Sequence, residues 1–365
     1  MSATRPLNGV RILEFDGLGP VTLAGMMLAD MGAEVLRLTR PTGGAFEEVG
    51  GAILHRGRSA VVVDLKSPDD LEAVRALIGR ADALIEGYRP GVMERLGLSP
   101  EACRQLNPAL VYGRVTGWGQ TGPLAASVGH DLNYLSLTGA LAAMGPPDRP
   151  PTPPLNLVAD YGGGAMLLVS GVLAALLEAR RTGLGRVVDA AMVDGVATMS
   201  SLFHALLAKG LWRPERGCNL LDGGAPFYRC YACADGRYVA VGALEPQFFA
   251  ALVQGLGLGD AALIQYDPSG WSAMHALFEA RFATASRDEW TARFAGTDAC
   301  VTPVLSFEEA RSHPHAAARD AYGPDGAPRP APRFDGGPAL PVEASSRSLA
   351  ETLAAWAETP EGGWV

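Results

Sequence analysis

Strand-like and helix-like segments alternate through the first 115 residues, and this alternation constrains the fold more than any other feature of the chain. Residues 9–15 (GVRILEF) predict a strand, residues 21–31 a helix with Leu23, Met26, Met27 and Met31 at helical spacing, and residues 34–38 (EVLRL) a second strand. Residues 60–65 (AVVVDL) predict a third strand, 68–78 a helix opened by Ser67 and Pro68, and 83–86 and 110–115 two further strands. A helix between successive strands carries the chain back to the same end of a sheet. The pattern therefore predicts an α/β fold with a large, doubly wound, mostly parallel sheet covered by helices.

Past this region, residues 145–154 (GPPDRPPTPP) read as a proline-rich loop, 164–180 as an apolar helix, 182–186 as a turn, and 187–190 as another strand followed by a helical segment holding Met192 and Met199. The pattern changes after Gly210. Residues 227–233 and 238–242 flank Asp235-Gly236 as the arms of a β-hairpin, and amphipathic helices follow at 246–256 and 272–283. We divide the chain into a large domain over 1–190, a linker helix region over 191–224, a smaller α+β domain over 225–323, and a C-terminal return to the large domain over 324–365. The return begins with a Pro- and Gly-rich stretch at 324–341 and closes with a helix at 349–356.

With 365 residues, 48% hydrophobic and 19% charged, the chain has the balance of a folded globular protein. Its net charge of -9 and scattered basic residues give no nucleic-acid footprint. Five cysteines, an odd number, read as reduced thiols and a cytoplasmic location. Cys230 and Cys233 form a lone C-x-x-C within the hairpin, and His55, His204, His275, His313 and His315 lack partners at ligand spacing, so no metal site is expected. Residues 161–177 are apolar, open on three glycines, and read as a buried helix; no membrane partner is expected. Residues 1–15 pass from Arg5 into the first strand without an apolar leader pattern.

Gly17-Leu18-Gly19 sits where a dinucleotide fingerprint would begin, but Thr22 takes the third glycine position, and the second strand ends at Arg37 and Arg40 where that fold places an acid. Arginine there suits a phosphorylated ribose. Arg56 and Arg58 precede the third strand, and Arg89 and Arg95 follow the fourth, where ligands of open α/β sheets bind and arginine forks suit phosphate. Ordinary surface arginines give the same pattern. His130 opens a helical run with Asp131 as its expected cap; at a helix N-terminus the dipole favours a neutral, proton-accepting imidazole. Asp160 stands among apolar neighbours before Gly162-Gly163-Gly164. Burial would raise its pKa into a useful range, and the glycines would let a substrate approach backbone N–H groups; a helix-capping role is compatible with both.

At these residues the chain resembles family III CoA-transferases, and among them the α-methylacyl-CoA racemases. The resemblance is carried by LADMGAEVLRLTRP (28–41), LIEGYRPGVMERLGL (84–98), TGWGQTGP (116–123), GHDLNYLSLTG (129–139), PPLNLVADYGGG (153–164), DAAMVDG (189–195), LDGGAPFY (221–228) and VGALEPQFF (241–249). It implies an interlocked homodimer acting on an acyl-CoA in lipid and fatty-acid metabolism, with no cofactor beyond the CoA moiety of the substrate. It assigns Arg40, Arg56 and Arg95 to the CoA phosphates, with Arg89 contacting CoA or orienting its loop. It also places His130 and Asp160 on opposite faces of the substrate α-carbon and pairs Glu245 with the histidine. Racemisation needs such a pair, one group removing the proton and the other returning it through an enolate. Asp16 departs from the pattern, where an apolar residue is expected after the first strand.

Two other functions fit the same scaffold. In CoA transfer between carboxylic acids, Asp160 would be the nucleophile and would carry CoA as an aspartyl thioester; His130, which the transferase pattern lacks, favours racemisation. A non-catalytic acyl-CoA-binding protein would not need His130, Asp160 and Glu245 together.

Overall fold

The computed structural model describes residues 5–42, 51, 53–335 and 348–357. The chain divides into two compact units, one of Met1–Thr138, Leu155–Met199 and Pro314–Val365, the other of Gly139–Pro154 and Ser200–His313.

The first unit is built on six parallel strands: β1 (Arg11–Phe15), β2 (Glu34–Thr39), β3 (Arg58–Val62), β4 (Ala83–Glu86), β5 (Val111–Thr116) and β6 (Val187–Ala191). Their order is β3-β2-β1-β4-β5-β6, the doubly wound arrangement expected from the alternation, with its reversal between β1 and β4. Every residue of β4 and β5 is buried, as strands covered on both faces must be. Helix Pro68–Ile78 has the expected bounds, with Ser67 Oγ accepting from the Asp70 N–H. The third strand begins two residues earlier than expected and ends at Val62, where a turn closed by the Ser67 N–H on the Asp64 carbonyl takes the end of the AVVVDL run.

Charged residues inside this sheet are paired. Glu14 and Arg37 are register partners on β1 and β2. Arg58 Nη1 reaches both Glu14 oxygens at 2.6 and 2.5 Å, and Arg37 Nη2 reaches Asp16 Oδ1 at 2.8 Å. Arg37 and Arg58, which the sequence left open between phosphate contacts and ordinary surface residues, are buried structural cations, and the unexpected Asp16 is a counter-ion for Arg37. On the other side of the reversal, Arg114 bridges Glu86 and Glu94 at 2.7 and 2.8 Å.

The expected closing helix is Leu349–Ala357. Trp356, 2% exposed, enters a core with Leu13, Phe15, Leu36 and Leu84, and Arg11 and Arg80 donate to the carbonyls of Trp356 and Leu353. Of the Pro- and Gly-rich stretch at 324–341, residues 336–341 lie outside the described residues, as do 342–347. The return to this unit begins at Pro314, ahead of the boundary drawn at 324.

The apolar helix expected at 164–180 is longer. A π-helical segment, Leu157–Met166, leads into α-helix Leu167–Thr182, which packs on β5 and β6. By length and composition these 26 residues could cross a membrane, and half of their most apolar stretch is buried in the fold. The glycine run serves packing more than substrate approach. Gly163 and Gly164 are buried, and a β-carbon on Gly195 of helix Met192–Met199 would fall 2.1 Å from the Gly163 carbonyl oxygen.

The second unit holds an antiparallel sheet of β7 (Tyr228–Ala232), β8 (Tyr238–Gly242) and β9 (Val301–Pro303), in that order. Gly236 turns the β7–β8 hairpin at φ 75°. Phe227, Phe278, Phe282 and Trp290 form its core with helices Pro246–Gly255, Trp271–Phe282 and Arg287–Phe294. Cys230 is exposed and Cys233 buried, because three residues of strand spacing put them on opposite faces. The proline-rich loop belongs to this unit rather than to the large domain. The Arg216 guanidinium gathers it by donating to the carbonyls of Ala142, Pro146 and Arg149 at 2.9, 3.0 and 2.6 Å.

Candidate active site

The reversal of strand order opens a cavity of about 290 Å³ in the first unit. β1 ends at Gly17-Leu18-Gly19, where Gly19 takes φ 66° and caps helix Pro20–Asp30. Thr22, which breaks the dinucleotide pattern, closes this turn by donating from Oγ1 to the Gly17 carbonyl at 2.7 Å. The opposing wall is Gly87, Tyr88 and Arg89 after β4. Glu86 fixes that loop by accepting from the Tyr88 N–H at 2.7 Å, and the Arg40 guanidinium lies 5.6 Å from the centre of the Tyr88 ring.

His130 and Asp160 both line this cavity. His130 is the N-cap of helix Asp131–Leu137, with extended backbone at φ -132°, and its N–H donates to Asn133 Oδ1 at 3.1 Å. Its imidazole is exposed. The expected cap, Asp131, does something else. It is buried, and its Oδ2 accepts the N–H groups of Ala159 and Asp160 at 2.9 and 2.7 Å. Tyr134, one turn on, donates its hydroxyl to the Gly129 carbonyl and meets Trp118 edge-on at 4.8 Å.

The Asp160 carboxyl is pushed up to about 6, first by burial and then by the charge of Asp131; a hydrogen bond from the Asn156 side chain and the charge of His130 oppose the shift. That value puts the group near neutrality, where it can both take and give a proton. The Tyr134 phenol is also held above its ordinary value, by burial and by Asp160, against the charge of Arg89.

The arginines separate by environment. Arg40 and Arg89 are exposed just past the carboxyl ends of β2 and β4, Arg95 is exposed at the end of helix Val92–Arg95, and Arg89, the most equivocal from sequence, lines the cavity itself. Arg56 differs. Its Nε and Nη2 hold Asp30 at 3.0 and 2.6 Å, its Nη1 donates to the Pro328 carbonyl at 2.6 Å, and its side chain is 9% exposed. A guanidinium so engaged fastens the returning C-terminal segment, with three of its five N–H donors already committed within the protein.

Glu245 stands in the second unit as N-cap of helix Pro246–Gly255, and its charge helps raise the Cys300 thiol, behind burial. Cys300 lines a larger, mainly apolar cavity of about 1110 Å³ within that unit, walled by Pro147, Tyr228, His275 and Thr302 among others. Sequence reasoning missed this cavity, as well as Tyr134, Trp118 and the second role of Asp131. Met192 lines the first cavity, whereas the Met199 side chain lies over Gly162.

Comparison with known proteins matches residues 7–339 to the family described as CoA-transferase family III. The α-methylacyl-CoA racemase of Mus musculus is 45% identical over 94% of this chain and 91% of its own length; that of Homo sapiens is 44% identical over 92% and 88%. Among solved structures, a CAIB/BAIF family protein from Brucella suis superposes with a TM-score of 0.81 at 26% identity, covering 96% of this chain and 98% of that one. Sequence, fold and the placement of the cavity at the strand-order reversal agree, and the chain belongs to CoA-transferase family III.

Proposed function

We propose that the chain interconverts the (R) and (S) forms of 2-methylacyl-CoA thioesters, with His130 and Asp160 as the acid/base pair. The observation that carries this reading is that an exposed imidazole and a carboxyl held at about 6 line one cavity at the reversal of the sheet. The similarity to the mouse and human racemases supports it. One group takes the α-proton, the thioester carbonyl holds the electron pair as an enolate, and the other group delivers its proton to the opposite face of the α-carbon. Only a proton moves, so the CoA moiety is the one cofactor-like group the reaction requires.

Arg40, Arg89 and Arg95, exposed near the same strand ends, are proposed to hold the CoA phosphates. Glu245 is proposed to orient His130 and stabilise its protonated form in an assembled homodimer, as a triad carboxylate does. A cytoplasmic role in fatty-acid metabolism fits such a substrate.

The test is proton NMR in heavy water with one enantiomer of a 2-methylacyl-CoA and no acceptor acid. Exchange of the α-proton with loss of optical purity is expected. His130→Ala should abolish proton loss from one enantiomer and Asp160→Asn from the other. CoA transfer to an added carboxylate, with no exchange of the α-proton, would replace this reading by Asp160 acting as nucleophile.

A further inference from the structure

His130 and Asp160 come from segments separated by twenty-nine residues of chain, yet a proton handed across one carbon demands a fixed spacing between them. The π-helical ladder does not fix its own start. Its Tyr161 N–H reaches back to the Asn156 carbonyl at 3.3 Å, so the N–H groups of Ala159 and Asp160, two residues and one residue earlier, need acceptors from elsewhere. Asp131 supplies both from a single oxygen, at 2.9 and 2.7 Å. Its backbone is covalently joined to His130, so one side chain links the two groups. Asp131 is only 7% exposed, and its Oδ1 is buried without a hydrogen-bond partner. A half-satisfied buried carboxylate is costly, which a cap chosen for stability alone would avoid.

We infer that Asp131 is a positioning residue of the proposed racemisation: its buried carboxylate ties the backbone of Asp160 to that of His130 and sets the spacing across which the α-proton is exchanged. This rests on His130 and Asp160 being the acid/base pair. The charge of Asp131 also acts on Asp160, which is faced by Asp131, His130 and Tyr134 from residues 130–137 and by Asn156 from its own segment.

Two variants separate the hydrogen bonds from the charge. Asp131→Asn keeps an acceptor oxygen and removes the charge, whereas Asp131→Ala removes both. We expect Asp131→Ala to lose about 100-fold in kcat, with KM for the acyl-CoA and calorimetric affinity for free CoA within about threefold of wild type. Asp131→Asn should recover most of that kcat near pH 8 and move the acidic limb of its pH profile down by about one unit. A merely structural role would not move that limb. Wild-type kcat and pH profile in both variants would overturn the inference, and so would equal losses of kcat and CoA affinity that track loss of folded protein by circular dichroism. His130→Ala in the same exchange assay guards the premise. If it still exchanges the α-proton of both enantiomers at the wild-type rate, the acid/base reading falls, independently of Asp131.

Discussion

Gly19 faces the Asp160 carboxylate so closely that a β-carbon there would stand 3.2 Å from Oδ2. The turn that ends β1 and the π-helical segment therefore meet at one acid. Gly19 also has φ 66° and ψ -115°, outside the left-handed helical well and in a region L-residues rarely enter, at a cost of about 1–3 kcal/mol. Gly19→Ala is expected to lower the melting temperature by a few degrees and to cost about tenfold or more in kcat of the folded protein, because displacing the carboxylate by a fraction of an ångström spoils its approach to the α-carbon. Steady-state kinetics beside a thermal melt of the same preparation checks this.

The parts of this fold written in local sequence were legible. The helix at 68–78 and the strand at 83–86 have the same bounds in sequence and structure, since capping residues and β-branched runs act within a few residues. His130 and Asp160 were legible through the motifs around them, and the structure places both on one cavity. What stayed hidden depends on neighbours across the sheet. Arg37 and Arg58 look like surface cations until the register sets Glu14 beside them. Asp131 looks like the cap of its own helix until the π-helical segment arrives beside it. The proline-rich loop reads as part of the first unit until Arg216, some seventy residues on, is seen holding two of its carbonyls and that of Ala142 just before it.

Gly25 tests the buried charges. A β-carbon there would fall 1.9 Å from Glu14 Oε2 and 2.8 Å from Arg58 Nη1, and both side chains are wholly buried. Neither can retreat into water, so Gly25→Ala is expected to prise the pair apart and destabilise the protein by about 3 kcal/mol or more. Urea denaturation measures it; a loss under about 1 kcal/mol would mean that the pair re-forms around the methyl group.

The two classes of arginine should separate in a single comparison. Arg40→Ala removes an exposed cation at the end of β2 and is expected to raise KM for the acyl-CoA about tenfold with little change in melting temperature. Arg56→Ala leaves Asp30 buried and the Pro328 carbonyl without its donor, and should lower stability by about 3 kcal/mol while KM in the folded fraction stays near wild type. The reverse pattern would return Arg56 to the phosphates and make Arg40 a surface bystander.

The pH dependence follows from Asp160 at about 6. Proton removal by Asp160 needs its carboxylate, so kcat/KM should fall about tenfold per pH unit as acid protonates that group, below about pH 6. The two enantiomers differ little in free energy, so the forward and reverse profiles must coincide. A kcat/KM that stayed flat in both directions between about pH 8 and about pH 5 would remove Asp160 from the pair. Stability has the opposite sign. Because the folded pKa lies above the ordinary value of 3.8, the contribution of Asp160 to stability is fully present below about 3.8 and is lost as the pH rises through about 6. Asp160→Asn cannot ionise and escapes that loss. Its melting temperature should overtake that of the wild type as the pH is raised from about 4 to about 8, while its proton exchange from one enantiomer is abolished. A constant difference in melting temperature across that range would place the shifted titration on some group other than Asp160.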